Sequence, residues 1–213
     1  MEHDFWHRRW AKNQIPFHEP QAHPLLLKHL PALALPAGSR LFLPLCGKTL
    51  DIGWLLAAGY RVVGAELSEL AVQQLFEELG QKPRVTSLHS GLSLYQGPDL
   101  DLFVGDIFAL DSDRLGPVAA VYDRAALIAL PESMRARYAR QIGELSGKAP
   151  QLLISIEYDQ TRQPGPPFAV AAPELQQLYG EDYRLQLLER LPLEGGLKRQ
   201  CPADEVVWHL QPH

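Results

Sequence analysis

Apolar positions along the chain alternate between the continuous runs of buried strands and the spaced stripes of helices. Leu41 to Leu45 is an apolar strand, Thr49 to Ala58 a short helix closed by Gly59, and Tyr60 to Ala65 the next strand. Leu67, Ala71, Val72, Leu75, Phe76 and Leu79 then recur at helical spacing, with Ser68 placed to cap the start and Gly80 after the end. Arg84 to Pro98 carries short alternating runs with glycines and reads as a strand or an insertion before Leu102-Phe103-Val104, which ends in Gly105-Asp106. Val118 to Tyr122 is apolar again and stops at Asp123-Arg124. Pro131 suits a first helical position, and Met134, Tyr138, Ile142 and Leu145 share one face of the helix it opens. Arg135, Arg137 and Arg140 off that stripe read as a solvated face. Leu152 to Ile156 is a buried-type strand, Thr161 to Pro167 a loop rich in Pro and Gly, and Pro173 to Tyr179 a short helix. Two alternating runs, Tyr183 to Leu191 and Glu205 to Leu210, close the chain without a helix between them.

That order predicts one α/β domain over residues 1–213. A doubly wound, mostly parallel seven-stranded sheet carries helices on both faces, and a final hairpin inserts one antiparallel strand. It is the arrangement of Rossmann-like methyltransferases. The segment before the first strand differs in character. Trp6 and Trp10 stand at i,i+4, Ile15-Pro16-Phe17-His18 breaks any helix, and Leu25 to Leu30 starts another. Residues 1–38 therefore read as an arm covering whatever the sheet holds.

Composition narrows the partners. The 213 residues carry a formal charge of -5 with basic residues scattered, which argues against a nucleic-acid partner and favours a small-molecule ligand. Cys46 and Cys201 are too few and too far apart for a disulfide or metal framework. Of the eight histidines, His3 and His7 stand at i,i+4 but with no third ligand evident nearby, so no metal is assigned. With no apolar leader and no run near membrane length, a soluble, cytoplasmic monomer is expected.

The turn after the first strand, Leu43-Pro44-Leu45-Cys46-Gly47-Lys48-Thr49, fails both familiar phosphate-binding patterns. A Walker A loop (G-x-x-x-x-G-K) needs glycine where Phe42 stands, and a dinucleotide fingerprint needs three glycines where only Gly47 is present. S-adenosylmethionine has no phosphate, and one glycine gives it enough room. Glu66 ends the second strand about twenty residues later, where a carboxylate can accept from both hydroxyls of a ribose. Spacing alone serves equally a solvent-facing acid favoured by the dipole of the following helix. Asp106 is open in the same way: it can approach an adenine amino group with Ile107 packed on the ring, or simply be a turn aspartate.

Phe5-Trp6 with Trp10, Ile15-Pro16-Phe17-His18, His23-Pro24-Leu25-Leu26, Pro44-Leu45-Cys46-Gly47-Lys48, Val63-Gly64-Ala65-Glu66-Leu67-Ser68-Glu69, Tyr122-Asp123-Arg124-Ala125-Ala126-Leu127 and Pro164-Gly165-Pro166-Pro167-Phe168 occur in that order over nearly the whole chain. Together they resemble the bacterial thiopurine S-methyltransferase family. The resemblance implies a class I, S-adenosylmethionine-dependent transferase that methylates thiopurines and other aromatic or heterocyclic thiols. Its alternatives are selenium or tellurium compounds as acceptors, or a non-catalytic nucleoside-binding protein of the same fold. It carries cofactor contacts onto Trp10, Leu45, Glu66 and Arg124, with Asp106 and Ile107 in the adenine segment, and acceptor contacts onto Phe17 and Arg124. Arg124 is the one residue expected to act on the reacting sulfur. Leu193 to Arg199 does not align, which leaves open whether Lys198 or Arg199 meets the acceptor.

Overall fold

A computed structural model describes residues 3–15 and 18–213. Helices α1 (His3–Ala11) and α2 (Pro24–His29) precede the first strand. Then come β1 (Arg40–Pro44), α3 (Asp51–Ala57), β2 (Arg61–Glu66), α4 (Glu69–Glu78), β3 (Arg84–Ser87), β4 (Ser93–Gly97) and β5 (Leu100–Val104). The second half runs α5 (Ser112–Leu115), β6 (Ala120–Arg124), α6 (Glu132–Ser146), β7 (Gln151–Tyr158), α7 (Ala172–Tyr179), β8 (Tyr183–Pro192) and β9 (Ala203–Pro212).

The apolar runs are continuous because both faces of the sheet are covered. Phe42, Val63, Phe103, Val121 and Leu153 pack with α6 and α7. Their strand neighbours Leu41, Leu43, Val62, Leu102 and Leu152 pack with α2, α3 and α4. Local chemistry starts and stops the helices where the pattern places them. Ser68 Oγ accepts the Ala71 N–H at 3.3 Å at the head of α4, and Gly147, at φ 61°, ends α6.

The strands form one sheet in the order β3-β4-β5-β2-β1-β6-β7-β9-β8. β5, β2, β1, β6 and β7 are mutually parallel, and β9 is antiparallel between β7 and β8, which is the expected closing hairpin. The count differs from expectation: nine strands replace seven. The extra pair is the ambiguous stretch before β5, where β4 lies antiparallel on the edge of β5 and β3 antiparallel on β4. Every residue of β3 is exposed and only Tyr95 of β4 is buried, so this hairpin is held by its backbone ladder and carries almost no hydrophobic period.

A second difference lies on α6. Arg135 is not on a solvated face; it is buried, with Nη1 on both Glu174 oxygens at 2.6 and 2.7 Å and Nε donating to the Leu130 carbonyl at 2.9 Å. Arg137 lies over the Phe108 ring, 3.9 Å from its centroid. Among the described residues no helix is long and apolar enough to cross a membrane.

Candidate active site

The parallel strands deliver their carboxyl ends to one side of the sheet, where crevices form in doubly wound folds. After β1 the chain turns sharply: Leu45 and Gly47 have φ of 46° and 55°, and the Cys46 N–H donates to Ala65 O of β2 at 3.1 Å. Gly47 is required for space as well as backbone angle, because a Cβ there would stand 3.0 Å from the Trp10 ring. Gly64 has a similar role one layer down. A Cβ on it would come within 2.9 Å of Cys46 Sγ, so its absence lets that sulfur tuck beneath the turn.

Glu66 is buried and welded into this corner. Its Oε2 accepts the Gly47 N–H at 2.7 Å and its Oε1 the Ser68 N–H at 2.8 Å. Burial pushes its carboxyl above the ordinary value, and the amides of Ser68, Gly47 and Leu67 oppose the shift. The solvent-facing reading of Glu66 therefore does not hold. Lys48 lines the cavity too, but its Nζ is engaged, donating to Glu78 Oε1 at 2.6 Å. A lysine committed to a helix carboxylate is not placed to cradle a triphosphate.

Asp106 closes its own turn, with Oδ1 accepting the Phe108 N–H at 3.0 Å, while Oδ2 stands 3.6 Å from His3 Nε2 of α1. Ile107 beside it is buried. At the end of β6, Asp123 and Arg124 point to opposite faces. Asp123 accepts the Tyr138 O–H at 2.7 Å and the Leu127 N–H at 3.1 Å, and burial pushes its carboxyl up to about 6. Arg124, with a side chain 13% exposed, faces the crevice and approaches Glu19 Oε1 at 3.6 Å.

These groups line one cavity of about 440 Å³, a size suited to a small-molecule site. One side of it carries Leu45, Gly47, Glu66, Asp106 and Ile107, and α1 supplies Trp6 and Trp10. The other side is largely apolar, built from Ile128, Ile156, Pro166, Pro167, Leu193 and Leu197. The proline loop is fastened to β7 and to the chain after β6: Tyr158 O–H donates to Pro167 O at 2.6 Å, and the Phe168 N–H to Ile128 O at 2.7 Å. Lys198 is among the residues that line the cavity and Arg199 is not. Phe17 lies outside the described residues.

Sequence reasoning passed over several lining groups. His18 and Glu19 come from the segment between α1 and α2, Ser155 from β7 and Glu205 from β9. Burial, with Lys48 next in importance, lowers the His18 pKa below the usual imidazole value. Glu205 Oε1 stands 3.4 Å from His23 Nε2, and that contact holds its carboxyl below the ordinary range. Nothing in an alternating run such as Glu205 to Leu210 signals that its first member faces a cavity. Among the described residues no three His, Cys, Asp or Glu converge as a metal-ligand set.

The corner fits an adenosyl amino acid. Each Glu66 oxygen spends one lone pair on a backbone amide and keeps another, and the glycine turn leaves the space a Cβ would fill. The overall fold is shared with the Burkholderia thailandensis 1,6-didemethyltoxoflavin-N1-methyltransferase, solved with S-adenosylhomocysteine, at a TM-score of 0.66 and 13% identity over 98% of this chain and 87% of that one. The fold is that of the S-adenosylmethionine-dependent methyltransferases. Residues 1–201 match the thiopurine S-methyltransferase family. The chain is 54% identical to a thiopurine S-methyltransferase of Xanthobacter autotrophicus over 99% of both chains, and 50% identical to one of Teredinibacter turnerae over 99% of this chain and 97% of that one. The protein belongs to the thiopurine S-methyltransferase family.

Proposed function

We propose that this protein transfers a methyl group from S-adenosylmethionine to the sulfur of an aromatic or heterocyclic thiol, thiopurines among them. The observation that carries the reading is the split character of the cavity. A polar corner at Glu66, Gly47 and Asp106 adjoins an apolar chamber, and Arg124 and Lys198 are among the cations in the lining. Glu66 holds the ribose hydroxyls, Ile107 and Leu45 pack the base, Asp106 accepts from the adenine amino group, and Trp10 covers the nucleoside. S-Adenosylmethionine supplies an electrophilic methyl on a sulfonium.

The chain's task is then to place a thiolate in line at roughly 3 to 3.5 Å from that carbon and keep water out. Arg124 and Lys198 favour the anionic sulfur over the neutral thiol, because a nearby cation lowers an acid's pKa. The proline loop at Pro166 and Pro167 and the face of α1 that carries Trp6 and Trp10 shut the chamber. A thiol acidic enough to arrive already ionised needs no dedicated base.

The test is titration with S-adenosylhomocysteine followed by methyl-transfer assays on aryl thiols, thiopurines, selenite and tellurite. Binding with transfer to thiols alone is expected. Binding without transfer to any of them overturns the reading.

A further inference from the structure

Glu205 is a charged group in the acceptor chamber for which methyl transfer to a preformed thiolate has no use. It stands on β9 beside β7, opposite Ile156, and lines the same cavity as Arg124, Ile128 and Leu197. Its orientation is imposed from behind. His23 is nearly buried and fixed at two points: its backbone N–H donates to Asp51 Oδ1 at 2.6 Å, and its Nδ1 accepts the Leu25 N–H at 3.3 Å as the cap of α2. Asp51 is held in turn by the Tyr122 O–H at 3.1 Å, which ties the assembly to β6. With Nδ1 used as an acceptor, the ring proton sits on Nε2, the atom that faces Glu205 Oε1 at 3.4 Å. Oε2 has no hydrogen-bond partner among the described residues, and the side chain is 28% exposed, toward the cavity.

Arg124 shares this face of the sheet and its charge is felt at Glu205, yet the two form no ion pair. The chamber therefore presents a cation and a hydrogen-bond acceptor held apart from each other. A benzene thiolate uses only the cation. A heteroaryl thiol in its thione form, with a ring N–H beside C=S, has a group for each.

Resting on the thiol reading above, we infer that Glu205 is a specificity-determining and catalytic residue, accepting the ring N–H of heterocyclic thiones while Arg124 takes the sulfur. The step balances without a further reactant. A sulfur lone pair forms the new S–CH3 bond, and the donor's carbon–sulfur bond breaks with its electron pair returning to the donor sulfur. The thione C=S becomes a single bond, the ring C–N becomes double, and the N–H proton passes to the Glu205 carboxylate. An S-methylated ring cation is a far stronger acid than its parent thione, so a carboxylate is basic enough to take that proton. His23 is a positioning residue in this scheme, aiming Oε2 by holding Oε1.

Matched acceptors test it: pyridine-2-thione carries the N–H beside the sulfur, and thiophenol has no nitrogen. Glu205→Gln should lower kcat/KM for pyridine-2-thione roughly 100-fold, the low end of what a positioned base contributes. Its effect on thiophenol should stay within about threefold, with S-adenosylhomocysteine affinity by calorimetry unchanged, and Glu205→Asp should recover part of the loss. Equal losses on both acceptors, or wild-type transfer to thiophenol but not to the thione, overturn the role of Glu205 alone. Failure of the wild type on both overturns the thiol reading and this inference with it. If Glu205→Gln fails to fold, the wild-type preference between the two acceptors, together with Glu205→Asp, gives the same decision.

Discussion

The two halves of the cavity are built on different plans. On the polar side every group sits at or just after the end of a parallel strand, and its geometry is set by backbone: Glu66 by the amides of Gly47 and Ser68, Asp106 by its own turn. On the apolar side the lining is collected from distant stretches, with Glu19 before α2, Pro166 and Pro167 after β7, Lys198 before β9 and Glu205 within it. A frame of strand ends specifies one ligand portion closely; a wall of loops allows the other portion to vary. The boundary between the two plans runs through a single peptide unit, Asp123-Arg124.

That boundary supplies the largest expected effect. Asp123 titrates at about 6 in the folded chain against an ordinary 3.8, so between those values the folded state holds a proton that the unfolded state has released. Stability from this group is therefore greatest below pH 3.8 and is lost as pH rises through 6, by up to about 3 kcal/mol. Urea unfolding of wild type and Asp123→Asn between pH 4 and 7 should show the two curves separating in that window. Parallel curves would mean that Asp123 is not a buried part of the frame.

Next in size is Glu66. Glu66→Ala should weaken S-adenosylhomocysteine binding by about 1.5 to 3 kcal/mol, the range for hydrogen bonds to a charged group. Glu66→Gln is not milder here, because its NH2 must face one of two backbone N–H donors. Calorimetry on folded variants should show both losses, and kcat/KM should fall by one factor for all acceptors. A loss that varied with the acceptor would blur the division into halves.

Arg124 should behave in the opposite way. Arg124→Ala is expected to cost about tenfold, near one pKa unit's worth of thiolate stabilisation. The loss should concentrate on weakly acidic thiols below their pKa and shrink once pH ionises them. Rate against pH for several thiols measures this, and a loss equal at every pH would move Arg124 to the donor half. Smallest is Lys48→Ala. The pair with Glu78 contributes no more than about 1 kcal/mol, and methyl transfer should be unchanged. A tenfold loss of activity would give Lys48 a part in the reaction beyond lining the cavity.

The same division explains what was legible in the sequence. Buried parallel strands announce themselves as apolar runs, so β1, β2, β5, β6 and β7 could be read off directly, and with them the positions, not the roles, of the groups at their ends. The β3–β4 hairpin could not, since β3 is exposed along its whole length and β4 buries only Tyr95, which leaves its short alternating runs ambiguous. Arg135 was misread because a helix stripe shows which residues face the sheet, not that α7 would arrive beside it and bring Glu174. Lys198, with φ 52°, and Glu205 depend on how a late loop and an inserted strand are folded back over the sheet, and no local pattern encodes that. Trp10 and Arg124 were found through family resemblance, and spacing alone would have left them among ordinary aromatics and strand-end charges.

The missing Cβ of Gly64 has a consequence for redox chemistry. A protein proposed to gather thiols in its active cavity faces mixed-disulfide formation with any cysteine of its own that ionises there. Cys46 sits in the wall of that cavity, but the room above Gly64 lets its sulfur sink beneath the turn. Burial and the Glu66 charge then push its thiol well above the ordinary range, and Cys201 is likewise buried. Thiol–disulfide exchange runs through the thiolate, so the cysteine in the cavity wall is kept in its unreactive form.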